Sequence, residues 1–456
     1  MGTDSDLNRD VSHDVNHDVN YGGVIDALVS GEWEEPGTGR RYEIPPEDIV
    51  IAASLEGREA ELVRRRHPGR SLIIVSDPCT YEALGARVFQ ALKADGADVT
   101  EHVWEQPVCS DRGVEALRAA TRGREALVAV GSGTINDAVK YASFLDGRDY
   151  SVFATSPMNA YTTNTASVSF DGFKRSITCH GARGIFFDLA VIARCPERLI
   201  SAAFADVICR TTAQLDWLLS HRLFGTPYAE TPYHLLAIDE DRMIDNASHM
   251  RDGDVEVLGM LTRISAIMGL GTSFTETTHS GSMAEHMISH HIDMFSGEEH
   301  PGTSHGEQVG VATVTMSRLH NRILNAAGAP TVHATRIPEA RLRQRYGADM
   351  ADNMIEQTRI KALDEAGAER VNRLMNDDWE AFRRPLRAIM LPFDRLHDAM
   401  RAAGCQTTPE QLGLSASRWH EAVTDARYIR DRFSMLDIAD DAGLLSGFLT
   451  EHCPPS

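Results

Sequence analysis

ALVAVGSGTINDAVKYA, residues 126–142, reads as an apolar strand, a glycine turn and a helix in direct succession. A turn of this kind brings backbone N–H groups close to a diphosphate. The helix that follows offers unsatisfied donors and a dipole that favours negative charge. Gly131, Ser132, Gly133 and Thr134 are therefore candidate cofactor contacts. The third glycine of a GxGxxG motif is missing, because Asn136 stands in its place. On residues alone, a purely structural tight turn fits the stretch equally well.

The same rhythm extends to both sides. IVIAAS (49–54), RSLIIVSD (70–77), ADVTEHVWE (97–105) and YSVFATS (150–156) read as strands. Between them EGREAELVRRR (56–66), TYEALGARVFQALKADG (80–96), GVEALRAATRG (113–123) and the stretch after Gly133 read as helices. This alternation predicts a parallel sheet with helices on both faces, closing at YSVFATS. Asp77 ends one strand, where a carboxylate accepts hydrogen bonds from an adenosine ribose and repels a 2′-phosphate. It can also serve as a helix N-cap before Pro78. Beyond about residue 196 the chain reads mainly as helices. The expected organisation is a polar tail over 1–20, an α/β nucleotide-binding domain over 21–190 and an all-α metal- and substrate-binding domain over 191–456. The tail, with its repeated HDV units, has too little apolar content to fold by itself.

Bulk properties narrow the function classes. The chain has 456 residues and a formal net charge of −21. Such a charge repels phosphate backbones and argues against nucleic-acid binding, while local basic groups or a metal still allow a small anionic substrate. The seven Cys form no CxxC pair, so neither a disulfide framework nor a Cys-type zinc site is expected. No apolar run is long enough to span a membrane, and no signal-peptide pattern opens the chain. The expectation is a cytoplasmic protein.

Six His fall between positions 279 and 305. His286 lies inside the helical stretch GSMAEHMISHHID, and His305 opens HGEQVGV, a turn entering a second helix. Two imidazoles from adjacent helices can ligate one divalent ion. His286 and His290 share a helical face at i, i+4 spacing, which allows two ligands or one ligand and a substrate neighbour. Asp206, in the apolar context AAFADVI, is a carboxylate that needs a partner if it is buried.

Several segments together resemble the sn-glycerol-1-phosphate dehydrogenases of the iron-containing alcohol dehydrogenase and dehydroquinate synthase superfamily. They are VGSGTINDAVKYAS with ATSPMNAYTTNTASVSFDGFKRS, AAFADVICRTTAQLDW, SGSMAEHMISHHIDMF with HGEQVGV, and the tail TTPEQLGLSASRWHEAVTDARYIRDRFSMLDIADDAG. The resemblance runs from about residue 47 to 449. It implies an α/β N-terminal nucleotide-binding domain, a helical C-terminal domain and a metal held by Asp206, His286 and His305. It implies cofactor contacts at Gly131, Ser132, Gly133, Thr134, Thr155 and Ser156, with Asp137 and Lys140 matching the family pattern. Two positions depart from it. Ala205 replaces the glycine usual before the metal-binding Asp, and Asn159 replaces an Asp that lies close to the substrate hydroxyls.

The activity this implies is metal-dependent hydride transfer between NAD(H) or NADP(H) and a small phosphorylated ketone or polyol, such as dihydroxyacetone phosphate and sn-glycerol 1-phosphate. The ion would be Zn²⁺, Fe²⁺ or Ni²⁺. His290 and Asn159 are candidates for substrate contact, and Lys174 for an anion contact. A homo-oligomer is expected, with neither nucleic-acid nor membrane partners. A sugar-phosphate cyclase or lyase resembling dehydroquinate synthase, with the same metal and NAD, is the alternative. A binding protein that has kept the fold without catalysis is a third reading.

Overall fold

A computed structural model of the chain describes residues 20–170 and 173–453. The tail expected over residues 1–20 lies, apart from Asn20, outside them. The packing separates into two units. One comprises residues 1–203 and 230–276, and the other 204–229 and 277–456. The sequence reading placed a single seam near residue 190; here the chain leaves the first unit at 203 and returns to it over 230–276.

The first unit is built on a six-stranded sheet. Its strands are β1 (Asp48–Ala52), β2 (Leu72–Ser76), β3 (Val99–Val103), β4 (Ala126–Gly131), β5 (Asp149–Ala154) and, after a hairpin, β8 (Gly184–Asp188). The order is β1-β8-β5-β4-β2-β3, and every pairing is parallel. β2, β4 and β8 are buried along their whole length, as expected of strands covered on both faces. The helices Glu59–Arg66 and Ala86–Ala94 deliver Leu62, Val63, Val88 and Leu92 to one face, against Ile74, Val128, Phe153 and Phe186. Each such side chain contributes roughly 1.5–3 kcal/mol when taken from water.

The series does not close at residue 156. GIFFD forms a sixth strand, β8, inserted between β1 and β5. The two strands before it, β6 (Thr165–Phe170) and β7 (Phe173–Thr178), pair antiparallel as a separate hairpin. Residues 255–269, expected in the helical domain, form a helix of this first unit. Its glycines admit close neighbours: a Cβ on Gly259 would lie 2.8 Å from the Tyr21 ring, and one on Gly269 would lie 2.3 Å from the Asn159 carbonyl oxygen.

His67 closes the Glu59–Arg66 helix and lies 2% exposed, with Nε2 2.8 Å from Ser151 Oγ on β5. Burial lowers its pKa from 6.5 to about 4. Between those values the unfolded chain binds a proton that the folded chain refuses. Stability therefore rises with pH across this window, and the loss is complete below about pH 4. The full difference is on the order of 3 kcal/mol. Urea midpoints between pH 4 and 7 should fall with acidification, and His67→Gln should flatten part of that slope. An unchanged slope would mean that His67 titrates normally.

The second unit, among the described residues, is helical. Two helices, Glu197–Ile208 and Arg210–Phe224, meet at Cys209. The helices Arg210–Phe224, Ala284–Phe295 and His305–Leu324 surround a core that includes Leu215, Leu219, Ile288, Val311, Met316 and Leu319. Among the described residues no helix is long and apolar enough to cross a membrane.

Candidate functional site

In the first unit, β4 ends at Gly131 and the helix Gly133–Asp146 begins two residues later, with Ser132 as its N-cap. The two glycines are there for different reasons. A Cβ on Gly131 would sit 2.8 Å from Ile135 Cβ, so the turn itself excludes a side chain. A Cβ on Gly133 would meet only Ala160 Cβ, at 3.6 Å, an ordinary contact. The space above the helix start at Gly133 is thus left free, as a diphosphate requires. Beneath the turn, the Tyr161 hydroxyl donates to the Gly131 carbonyl at 2.8 Å. Having spent its hydrogen there, it accepts one from Ser156 Oγ at 2.9 Å. The Thr155 N–H reaches the same carbonyl at 3.3 Å.

Asp137 and Lys140 turn inward. The Lys140 ammonium is fully enclosed and donates to the carbonyls of Ala160 (2.9 Å) and Thr165 (2.8 Å), with Asp137 Oδ1 at 3.4 Å. Asp137 Oδ2 accepts the Ser167 N–H at 2.9 Å. This pair therefore fastens the Asn159–Tyr161 turn and β6 to the helix. With its hydrogens committed to protein acceptors, Lys140 is not placed to touch a cofactor directly.

Asp77 caps the short helix Pro78–Thr80, its Oδ1 accepting the Thr80 N–H at 2.9 Å. The other carboxylate oxygen takes no hydrogen bond from the described residues. Asn159 opens a 3₁₀ turn clamped from behind, where Thr162 Oγ1 donates to the Ala266 carbonyl at 2.8 Å. Lys174 lies on β7, in register with Ser169.

The second unit gathers Asp206, His286 and His305 from three helices. His286 Nε2 lies 3.5 Å and His305 Nε2 3.9 Å from the same oxygen, Asp206 Oδ1. The two imidazole centroids are 5.0 Å apart. Ligands bonded to one tetrahedral ion at ~2.0–2.2 Å stand about 3.4 Å from each other. The donor types suit a small divalent ion, and the two carboxylate-to-imidazole spacings lie close to that value. Ala205, beside Asp206, is accommodated because Gly310 faces it: a Cβ there would come within 2.8 Å of the Ala205 methyl.

Hydrogen bonds fix both imidazoles. His286 Nδ1 lies 3.0 Å from Glu285 Oε1, which also accepts the Met283 N–H at 2.7 Å. Burial alone would raise the Glu285 pKa, but the hydrogen bond from His286 and the backbone donors hold it below the usual range. His286 thus carries its hydrogen on Nδ1 and presents a lone pair from Nε2.

His305 is set by a longer chain. The Gly302 N–H donates to His300 Nδ1 at 3.1 Å, so the other nitrogen of that neutral ring donates to Asp293 Oδ1, also at 3.1 Å. Gln308 Nε2 donates to the same oxygen at 3.1 Å, which turns its carbonyl toward Ser289. Ser289 donates to that carbonyl at 2.8 Å and so accepts from His305 Nδ1 at 3.0 Å. His305 Nε2 is left with its lone pair toward Asp206.

Ser289→Ala should lower divalent-metal affinity about 10–100-fold, the usual effect of losing such a support. Ser289→Thr should restore part of it. Competition with a chelator measures this directly, and unchanged affinity in Ser289→Ala would show that the ring is held by packing alone.

His290 stacks beside His305, with centroids 5.4 Å apart. Together with Asp293 and His305 it forms a second close group of potential ligand atoms. Asp293 Oδ1 in that group already accepts two hydrogen bonds. Cys209, not singled out in the sequence, falls beside Asp206 and His286. Its thiol donates to the Asp206 carbonyl at 2.8 Å, and burial pushes its pKa well up.

The model of the iron-containing alcohol dehydrogenase family matches residues 50–196. The chain is 28% identical over 257 residues to a protein named glycerol-1-phosphate dehydrogenase [NAD(P)+] from Halalkalibacterium halodurans. That match covers 54% of this chain and 64% of the relative, slightly under two thirds of its length. A protein of the same name from Natronomonas pharaonis is 25% identical over 396 residues, covering 86% of this chain and 92% of its own. In fold, the structure is similar to glycerol dehydrogenase from Schizosaccharomyces pombe, with a TM-score of 0.61 at 15% identity, over 92% of this chain and 93% of the other.

Proposed function

We propose that the chain is a member of the iron-containing alcohol dehydrogenase superfamily, an NAD(P)-dependent oxidoreductase acting on CH–OH groups, and that it interconverts a small phosphorylated ketone and its alcohol. Dihydroxyacetone phosphate and sn-glycerol 1-phosphate are the proposed pair, in keeping with the names of its relatives. The observation that carries this reading is the convergence of both imidazole Nε2 atoms on Asp206 Oδ1.

Asp206, His286 and His305 would hold one divalent ion, of which Zn²⁺, Fe²⁺ and Ni²⁺ all accept such ligands. When bound, the ion supplies Lewis acidity to the substrate oxygen and the nicotinamide supplies or takes up hydride. The chain's own contribution is positioning. Glu285 and Ser289 hold the imidazoles with their lone pairs outward. The N–H groups from Gly131 to Thr134 would receive the diphosphate, supported from below by Tyr161. Asp77, through its remaining oxygen, would accept from the adenosine ribose and favour NAD over NADP. His290, beside His305, would contact the substrate or pass a proton. Asn159 makes its surroundings one negative charge poorer than the family's Asp would, which favours an anionic substrate over neutral polyols. A cytoplasmic homo-oligomer is the form we propose for the protein.

Purified protein with measured metal content, given NADH and a panel of phosphorylated and unphosphorylated ketones, tests the reading. Metal-dependent oxidation of NADH, with higher kcat/KM for dihydroxyacetone phosphate than for dihydroxyacetone, is expected. No net NADH consumption together with conversion of a sugar phosphate would instead identify a cyclase.

A further inference from the structure

Arg430 and Arg432 stand two residues apart, between the 3₁₀ turn Ala426–Tyr428 and the helix Met435–Asp441. Both are partly buried. Among the described residues neither guanidinium forms an ion pair, and Arg430 makes no side-chain hydrogen bond at all. Arg432 is held only by neutral acceptors, the Ser282 carbonyl and Thr278 Oγ1, the latter at 2.5 Å. Those two residues flank His279 and lead directly into the helix Ala284–Phe295, which carries His286. Thr278 and Asp431 are exposed, so solvent reaches this place.

The electrostatics agree with the geometry. Burial, then the neighbouring Arg430, lowers the Arg432 pKa to about 9, and burial also lowers that of Arg430. His279 is held down to about 4 by burial and then by both arginines. Two carboxylates offset some of this: first Asp431, which is exposed and forms an ion pair with neither guanidinium, and then Glu285, already engaged by His286, the Met283 N–H and Thr212. Guanidiniums withdrawn from water usually sit against carboxylates. Here the missing partner must come from outside, and a planar guanidinium fork suits phosphate oxygens.

We propose that Arg430 and Arg432 form an anion subsite that receives the phosphoryl group of the substrate, in the same unit as Asp206, His286 and His305. This rests on the reading of a phosphorylated substrate and assigns its recognition to residues the sequence did not single out. Lys174, the anion contact expected from the sequence, belongs to the other unit.

Arg430→Gln is the cleaner test, because Arg430 supports nothing else in the fold. Two readouts keep the questions apart. In the metal-loaded full chain, the kcat/KM ratio of dihydroxyacetone phosphate to dihydroxyacetone should fall about 10–100-fold in Arg430→Gln, with Arg430→Lys between the two. Independently of turnover, the ³¹P linewidth of inorganic phosphate should broaden with the wild-type protein and much less with Arg430→Gln. If the wild type prefers the phosphorylated ketone and Arg430→Gln keeps both that preference and the broadening, the subsite is overturned while the proposed function stands. If phosphate binding depends on Arg430 but no phosphorylated ketone is reduced, the subsite stands and the proposed function falls.

Discussion

Replacing Asp206 with Ala should strip the protein of its divalent ion and of its activity. Asp206 Oδ1 is the atom on which both imidazoles converge, so it holds the set together. Protein zinc sites bind with ~10–16 kcal/mol, so one ligand of three carries on the order of 3–5 kcal/mol, a loss in affinity of roughly 10²–10⁴-fold. Asp206→Asn keeps the shape but removes the charge, and should fall between wild type and Ala. Its neighbours in the Glu197–Ile208 helix pack independently of the carboxylate, so the circular dichroism of both variants should match wild type. Metal analysis after dialysis gives the result. One ion per chain retained in Asp206→Ala would mean that the ion sits elsewhere, the group around His290 and Asp293 being the alternative.

Gly133→Val should abolish cofactor binding while leaving metal content intact. The added Cβ itself meets only Ala160 at a comfortable distance, so the fold tolerates it. The two methyls beyond it fill the space over the helix start where the diphosphate would sit. Losing two charge-assisted hydrogen bonds of ~1.5–3 kcal/mol each raises the NADH dissociation constant by about 10²–10⁴-fold. Gly131→Ala provides the contrast. Its Cβ strikes Ile135 inside the protein, so its main effect should be a lower melting temperature. Tight NADH binding by Gly133→Val would place the nucleotide away from this turn.

What the sequence revealed and what it hid have separate physical causes. Strand, turn and helix around Gly131 were legible because period and glycine placement are local signals. Asp206, His286 and His305 could be proposed together because each lies in a distinctive family-like segment, and their approach to one another follows from the helices that carry them. β8 was missed because five apolar residues carry no periodicity of their own, and nothing local says that GIFFD enters between β1 and β5. The return of residues 230–276 to the first unit is equally non-local. The Lys140 role was hidden because a family-pattern lysine looks the same whether it meets a ligand or two backbone carbonyls. Ser289 and Gln308 were hidden for a related reason: a hydrogen-bond chain from Gly302 to His305 exists only once three separate segments are brought together. Arg430 and Arg432 looked like ordinary charges in a polar stretch, and only the lack of a carboxylate opposite them sets them apart.

The place of β8 also bears on how the chain emerges from the ribosome. Among the described residues β1 pairs along its length only with β8, which is made more than 130 residues later, with a single further bridge from Asn20 to Ala52. Until residue 188 has left the exit tunnel, β5, β4, β2 and β3 can zip together, while β1 and the helix behind it wait unpaired. During that interval the open edge of β5 presents unsatisfied N–H and C=O groups beside the apolar side chains of Val152 and Phe153. The sheet is then completed from within, by a strand that slides between two others and joins them in one step. Synthesis that stalls between 155 and 188 leaves a chain with an exposed strand edge, a natural substrate for chaperones.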